Sequence, residues 1–220
     1  MQRDVVAAAE TMVAPGLLML EAPMGGGKTE AAFAAAEVLA RRSGASGVYV
    51  ALPTQATSNS MFSRMLAWLT SLPAGEGETQ TVNLAHGKAA LNDEFRAIAR
   101  THDGSIHDDR VRTGAAPSGE DRYHPVIGEW MRGRKRATFS NFVVGTIDQV
   151  LFAALRARHL SLRQLGLAGK VVIIDEVHAA DAFMSEYLER AIEWLAAAGA
   201  PVVLMSATLP ASQRIAFYRA

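Results

Sequence analysis

The sequence feature that most constrains the fold of this chain is a glycine-rich turn, Glu21-Ala22-Pro23-Met24-Gly25-Gly26-Gly27-Lys28-Thr29-Glu30. Before it, residues 16–20 form a short, continuously apolar run, which is typical of a strand buried on both faces of a parallel sheet. After it, residues 31–42 are rich in strong helix formers and are followed by Gly44, a residue type that commonly ends helices. This order of strand, glycine turn and helix predicts a turn whose backbone N–H groups and helix N-terminus bind phosphate.

The residue types within the turn predict how a nucleotide would be held. Gly25, Gly26 and Gly27 let the backbone approach a di- or triphosphate, Lys28 can reach the terminal phosphates, and Thr29 can hold Mg²⁺. We count Glu30, the last residue of the stretch, among the nucleotide-binding residues. The pattern G-x-x-x-x-G-K-[ST] is missed only at Ala22, which stands where the first glycine would be. The alternative, a flexible turn followed by an ordinary lysine, does not account for the flanking strand and helix.

The composition is that of an ordinary globular chain. The 220 residues suit one large domain or one domain with insertions, and 22 basic residues balance 22 acidic ones, so any nucleic-acid site must be local. The absence of cysteine excludes disulfides and thiolate metal sites. The sequence contains neither a membrane-length apolar run nor a signal-peptide pattern, and we expect a cytoplasmic protein without membrane association.

Strand and helix patterns alternate along the chain. Five further short apolar runs lie at 47–52, 81–85, 141–146, 170–174 and 201–205, and helical patterns lie at about 5–13, 56–70, 89–100, 147–158 and 182–198, with a final short helix after Pro210. This alternation predicts an open, mostly parallel α/β sheet with helices on both faces. Ligands of such a sheet bind beyond the carboxyl ends of its strands, where each of the motifs in this chain lies.

One segment, residues 101–136, does not fit the alternation. Its first part loses all periodicity and collects Gly, Asp, His and Pro, which predicts a surface insertion. Its last part, Trp130-Met131-Arg132-Gly133-Arg134-Lys135-Arg136, is a basic cluster beside an aromatic residue. Such a cluster could bind a phosphate backbone, but a solvated loop explains it equally well.

Two acidic residues directly follow the apolar run at 170–174. Asp175 is placed to hold Mg²⁺ through its water shell, and Glu176 suits a general base or a carboxylate that orients water. The alternative is that the two acids only cap a helix after a buried strand. The glycine turn upstream favours the catalytic interpretation, and Lys28, Asp175 and Glu176 are our candidate catalytic residues.

The wider motif set resembles that of superfamily 2 helicases. Asp175-Glu176-Val177-His178 is similar to their D-E-x-H box, and residues 22–29 resemble motif I, in which Ala in place of the first Gly is usual. Ser206-Ala207-Thr208 resembles motif III, which couples nucleotide state to domain closure. Pro53-Thr54-Gln55 and Gly145-Thr146 resemble two motifs that face the nucleic-acid backbone. The resemblance adds His178 to the catalytic set, in contact with the γ-phosphate or with motif III, and gives Gln2 the position of an adenine-reading glutamine.

A finer resemblance is to the CRISPR-associated helicase–nuclease of type I systems. It is carried by Leu84-Ala85-His86-Gly87, Thr146-Ile147-Asp148-Gln149 and the longer strings 51–59 and 174–179. The resemblance implies ATP and Mg²⁺ as cofactors, and single-stranded DNA and the CRISPR type I effector complex as partners. It implies an ATP-dependent helicase or translocase that unwinds and helps degrade target DNA in antiviral defence.

The same resemblance implies that residues 1–220 are the first RecA-like, ATP-binding domain of a longer protein. Residues 209–220 are too few for the second RecA-like domain, and we expect that domain and the HD nuclease domain to be absent, leaving a fragment with weak activity or none. The His-Asp pairs at 102–103 and 107–108 resemble the metal ligands of such a nuclease, but they lie in the aperiodic segment and not on packed helices, which argues against a metal site there. We interpret His86, His124 and His159 as surface or loop-packing residues. Two alternatives stay open: a D-E-x-H box RNA helicase domain, and a non-catalytic nucleotide-binding module that docks onto a nucleoprotein complex.

Overall fold

A computed structural model of the chain describes residues 1–12, 16–72, 80–87, 89–103, 126–127, 131, 136–155, 159–179 and 182–220. Its centre is a six-stranded sheet in the order β1-β6-β5-β2-β4-β3, and all neighbouring strands are parallel. The strands are β1 (Leu17–Glu21), β2 (Val48–Leu52), β3 (Val82–Ala85), β4 (Phe142–Thr146), β5 (Val171–Ile174) and β6 (Val202–Ser206). The predicted parallel α/β fold is confirmed, and each predicted strand is present within one residue of its expected bounds.

Eight α-helices connect or flank these strands in the described residues. They are α1 (Gln2–Thr11), α2 (Lys28–Ser43), α3 (Gln55–Ser71), α4 (Asp93–Asp103), α5 (Ile147–Ala154), α6 (Leu160–Ala168), α7 (Ala182–Ala197) and α8 (Ala211–Arg219). Short 3₁₀ turns lie at Ala89–Leu91, Ala137–Phe139 and Val177–Ala179. Among these residues no helix is both long and apolar enough to cross a membrane.

Two helix predictions were wrong in detail. The single helix expected at 147–158 ends at Ala154, and a separate α6 begins after His159, which has a left-handed backbone with φ 60°. The helix expected from residue 89 begins only at Asp93, because residues 89–91 form a 3₁₀ turn and the Asn92 side chain accepts a hydrogen bond from the Phe95 N–H at 2.9 Å. A local cap of this kind fixes where a helix starts.

The helices pack on both faces of the sheet, as predicted. Residues of α1, α2 and α3 form one buried cluster with Val50, Ile173 and Val203. Residues of α5, α6, α7 and α8 form the other with Ala51, Val172 and Leu204. Neighbouring strand residues thus alternate between two cores, which is why the strand sequences are continuously apolar.

The predicted surface insertion at 101–136 is partly wrong, because described residues near its end are packed against the domain. Val126 forms an isolated parallel bridge with Thr81, and Ile127 is 1% exposed. The carbonyl oxygen of Met131 accepts a hydrogen bond from the buried Asn83 amide at 3.0 Å. Arg136 is exposed, and the rest of the basic cluster other than Met131 lies outside the described residues, as do residues 104–125.

The topology brings the motifs to one edge of the sheet. The glycine turn follows β1, Asp175 follows β5 and Ser206 ends β6, and these three strands are neighbours in the sheet. The backbone holds the strand ends in register: Ala22 N–H donates to the Ser206 carbonyl at 3.2 Å, and Asp175 N–H donates to the Ala51 carbonyl at 2.9 Å. All the candidate site residues therefore emerge at the carboxyl ends of parallel strands.

Candidate nucleotide site

The glycine turn between β1 and α2 depends on backbone angles that favour glycine. Gly25 and Gly27 both have φ 75°, in the left-handed region where a Cβ is strained. Gly27 is the residue that precedes α2, and its carbonyl accepts the first bond of the helix from Ala31 N–H at 3.1 Å. The helix therefore begins directly at Lys28, and the unpaired N–H groups of its first turn face the turn that precedes it.

Lys28 and Thr29 are buried at the start of α2, with 8% and 7% of their surface exposed. The Lys28 ammonium group donates a hydrogen bond to the carbonyl oxygen of Ala22 at 2.8 Å. The lysine side chain thus folds back over the turn, which is where the phosphates of a bound nucleotide would lie.

Asp175 and Glu176 directly follow β5, and they differ in burial and backbone conformation. Asp175 is 9% exposed, and one of its carboxylate oxygens accepts a hydrogen bond from the Glu176 N–H at 2.8 Å. Burial raises the pKa of Asp175, and this shift is opposed by the Glu176 N–H bond and by the positive charges of Lys28 and Arg64. Glu176 has φ 55°, a left-handed conformation that costs a non-glycine residue about 1 kcal/mol or more and that is enriched at functional sites.

These residues share one polar cavity of about 430 Å³ at the carboxyl edge of the sheet. Its walls are formed by Met24, Gly25, Gly27, Lys28, Thr29, Glu30, Arg64, Asp175 and Glu176. The structure thus brings together almost all the predicted nucleotide and metal residues. Gly26 lies in the same turn, where its N–H donates to the Pro23 carbonyl at 3.2 Å.

His178 joins the acidic strand end to the Ser206-Ala207-Thr208 segment. Its Nε2 lies 3.1 Å from a Glu176 carboxylate oxygen, and its Nδ1 accepts a hydrogen bond from the Ala207 N–H at 3.4 Å. The Ser206 hydroxyl lies 3.3 Å from Nδ1 and donates to the Thr208 carbonyl at 2.8 Å. Because a backbone N–H can only donate, Nδ1 is the acceptor, and a neutral imidazole carries its proton on Nε2, toward Glu176.

The predicted nucleic-acid residues lie at the ends of β2 and β4. Thr54 caps α3 by accepting a hydrogen bond from Thr57 N–H at 3.2 Å, and Gln55 is the first, exposed residue of that helix. Pro53 is half-buried just before them. Thr146 is only 8% exposed, and its carbonyl accepts a hydrogen bond from the buried Tyr49 hydroxyl at 3.5 Å.

Two sets of polar residues near the site were not predicted from sequence. Arg64 lines the cavity from α3, where it is the only charged residue, and that isolation was a usable signal. Asn59, on the same helix, lies 3.0 Å from the His86 ring nitrogen and accepts a hydrogen bond from Asn92 at 3.3 Å. His86 is 7% exposed and burial lowers its pKa, so it is a loop-packing residue rather than a surface one.

The structure describes only some of the other histidines considered in the sequence, and it describes Gln2. His159 is exposed before α6, His124 and residues 107–108 lie outside the described residues, and so do the side chains of residues 102 and 103. Among the described side chains, no group of three or more His, Cys, Asp or Glu residues could hold a metal ion. The Gln2 amide nitrogen lies beside the glycine turn, 3.8 Å from where a Cβ on Gly27 would be.

Comparison with known proteins gives the relationship of the chain. No protein-family model matches the sequence. Over 200 residues, which are 91% of this chain, it is 46% identical to the CRISPR-associated nuclease/helicase Cas3 of Streptococcus thermophilus. The chain is a homologue of Cas3. The Cas3 endonuclease/helicase of Thermus thermophilus is 41% identical over the full chain. The chain spans about a fifth of these Cas3 proteins, 20% and 23% of their lengths.

Solved Cas3 structures have the same fold. The crystal structure of T. fusca Cas3 with ATP matches 98% of this chain and 21% of its own chain, with a TM-score of 0.77 and 36% identity. A chain in the structure of a CRISPR RNA-guided surveillance complex before nicking matches 97% of this chain and 19% of its own, with a TM-score of 0.63 and 32% identity. The fold is therefore the RecA-like α/β fold found in Cas3.

Proposed function

We propose that this chain is the first RecA-like, ATP-binding domain of a CRISPR type I helicase–nuclease. The observation that carries the proposal is the cavity in which Lys28, Thr29, Asp175 and Glu176 meet at a glycine turn with two left-handed residues. The identity to Cas3 proteins and the solved T. fusca Cas3–ATP structure support ATP as the ligand.

The donor set of the cavity fits MgATP. The N–H groups at the start of α2 and the Lys28 ammonium group would bind the phosphates, since they supply positive charge to an otherwise acidic cavity. Thr29 and Asp175 would hold Mg²⁺, which usually takes one or two protein ligands and completes its shell with water and phosphate oxygens. When bound, Mg²⁺ neutralises charge on the phosphates.

Glu176 is the residue that would handle the attacking water. Its carboxylate lies in the cavity and its conformation is held by the strand end, so it can orient a water molecule and accept a proton from it. The hydrogen bond from His178 Nε2 reaches a Glu176 oxygen, and His178 also contacts the Ala207 N–H. Charge changes at Glu176 are thereby linked to the Ser206-Ala207-Thr208 segment.

The same proposal includes single-stranded DNA and the CRISPR type I effector complex as partners, together with a second RecA-like domain and an HD nuclease domain. The exposed Thr54 and Gln55 support a nucleic-acid surface at the end of β2, and the buried Thr146 would contribute backbone rather than side chain. The match to a chain in a surveillance-complex structure supports the effector partner. A second RecA-like domain would supply arginine fingers to the nucleotide, and an HD nuclease domain would cut the DNA. We also infer a cytoplasmic location, since the effector acts on intracellular DNA.

The test is ATP hydrolysis by a protein that carries this domain together with its second RecA-like domain. We expect single-stranded DNA to stimulate hydrolysis more than RNA does, and Lys28→Ala to abolish it. Stronger stimulation by RNA would favour an RNA helicase. A silent Lys28→Ala variant that keeps partner binding would favour a docking module instead.

A further inference from the structure

Arg64 is a cation at the nucleotide cavity to which none of the sequence motifs gives a role. It is the only charged residue in the 17-residue helix α3, and it lines the cavity together with Lys28 and Asp175. Its side chain is 47% exposed and forms part of the cavity wall. A guanidinium group keeps its charge at every pH at which proteins fold.

The present partner of Arg64 is Glu30, at the start of α2. Arg64 Nη2 donates a hydrogen bond to the Glu30 carboxylate, and this bond is the main reason that the pKa of Glu30 is lowered. Both side chains are about half exposed, 47% and 53%, and an ion pair of that kind contributes little to stability. Arg64 can therefore leave Glu30 for a stronger partner with little loss of folding stability.

The position of Arg64 is fixed by packing between α2 and α3. Trp68, one turn further along α3, stacks on Phe33 of α2 with ring centroids 4.6 Å apart. Arg64 and Glu30 also line the groove beside these rings, so the ion pair stands between that groove and the nucleotide cavity. Arg64 is held at the rim of the cavity by a rigid helix rather than by a loop.

Arg64 shares its cavity with the residues that would hold the phosphates and Mg²⁺. Lys28, Thr29 and Asp175 line the same cavity, so the guanidinium charge lies beside the proposed phosphate site. A guanidinium fork binds phosphate oxygens in two parallel hydrogen bonds, and such charge-assisted bonds are stronger than an exposed pair with a carboxylate.

We propose that Arg64 binds the terminal phosphate of a bound nucleoside triphosphate, exchanging Glu30 for it, so that the site distinguishes ATP from ADP. Glu30, the partner of Arg64 in this structure, acts as a positioning residue that holds Arg64 at the rim. This inference rests on the proposed function, because it needs ATP in the cavity.

The test is calorimetric binding of ADP and of AMPPNP, a triphosphate that is not hydrolysed, to the full chain in the presence of Mg²⁺. Arg64→Gln should weaken AMPPNP binding by about tenfold or more, the usual loss for one hydrogen bond to a charged group. ADP affinity should change by less than about twofold. Arg190→Gln is the matched control, since Arg190 pairs with Glu193 on the surface of α7 and does not line the cavity.

Glu30→Gln separates this role from a merely structural one. If Arg64 only holds Glu30 in place, Glu30→Gln and Arg64→Gln will weaken AMPPNP binding alike, and the proposal is overturned. The proposal predicts instead that Glu30→Gln tightens AMPPNP binding, because it frees Arg64. Thermal unfolding of each variant checks that the domain is intact.

The two proposals fail in different ways. Wild-type chain that binds no nucleotide overturns the proposed function and this inference together. Binding that is lost in Lys28→Ala but equal for wild type and Arg64→Gln overturns the role of Arg64 alone, and so does an equal loss of ADP and AMPPNP affinity.

Discussion

At the scale of single residues, the motif residues could be predicted from sequence and their cavity partners could not. Asp175 was predictable because it directly follows an apolar run, and Lys28 because it ends the glycine turn that follows another such run, so a local pattern places each of them at a strand end. The isolated charge of Arg64 in α3 is visible in the sequence, but its place in the cavity depends on the packing of α3 beside α2, which no local pattern encodes. The sequence predicts contact of His178 either with the γ-phosphate or with Ser206-Ala207-Thr208, and the structure shows contact with Ala207.

Asp175 gives a first prediction, on stability. Burial raises the pKa of Asp175 in the folded chain above its value in the unfolded chain. The ionised carboxylate therefore lowers the free energy of unfolding above the folded-state pKa, and this loss shrinks as pH falls and is gone below the unfolded-state pKa. We expect Asp175→Asn to raise the urea midpoint of the nucleotide-free chain at pH 7, and the gain to shrink toward about pH 4, near the ordinary pKa of Asp. Glu193→Gln, at an exposed site, is the control. A variant less stable than wild type at pH 7 would contradict the assigned burial cost.

His178 gives a second prediction, on coupling. His178→Ala removes the link between Glu176 and Ala207 but no group that lines the cavity. In a protein with both RecA-like domains, we expect ATP affinity to stay within about twofold and DNA-stimulated hydrolysis to fall by about tenfold or more. His159→Ala, at an exposed position before α6, should leave both unchanged. A loss of ATP affinity as large as the loss of rate would mean that His178 serves binding instead.

At the scale of elements, the strands were predictable and the strand order was not. Strands buried on both faces are short continuous apolar runs, and all six runs of this kind became strands. The order β1-β6-β5-β2-β4-β3 depends on pairing between distant segments, which single-sequence patterns do not contain. The break between α5 and α6 was missed because His159 adopts a left-handed conformation without the glycine that usually marks one.

The contact between β2 and β4 gives a third prediction. A Cβ added at Gly145 would lie 2.3 Å from the hydroxyl oxygen of Tyr49, a residue that is fully buried. Gly145→Ala should therefore destabilise the chain by about 2 kcal/mol or more, as overpacked cores do, measured as a shift in the urea midpoint.

Two further variants check that the cause is the Tyr49 hydroxyl. Adding Tyr49→Phe to Gly145→Ala should restore part of the loss, because it removes the clashing oxygen. Gly169→Ala is the matched glycine control, since its Cβ would meet only Ser46 Oγ, at 3.6 Å. Equal effects of Gly145→Ala and Gly169→Ala would refute the close approach.

At the scale of the whole molecule, the proposed function makes this chain one wall of a two-domain motor site. The chain covers 20% of the S. thermophilus Cas3 protein, and the acidic and basic groups of its cavity lie at the carboxyl edge of the sheet. We therefore expect the 220-residue chain alone to hydrolyse ATP slowly, with rates about 10³-fold or more below those of a protein that adds the second RecA-like domain. Brisk DNA-stimulated turnover by the chain alone, measured as phosphate release, would refute the need for a second domain.

The central claim, that the cavity at the glycine turn is an MgATP site, is tested most directly by calorimetric titration of the chain with ATP. We predict that wild-type chain binds ATP more tightly with Mg²⁺ than with EDTA, that Lys28→Ala abolishes binding, and that Asp175→Asn removes the difference between Mg²⁺ and EDTA. ATP binding that survives Lys28→Ala, or a Mg²⁺ effect that survives Asp175→Asn, would contradict the account.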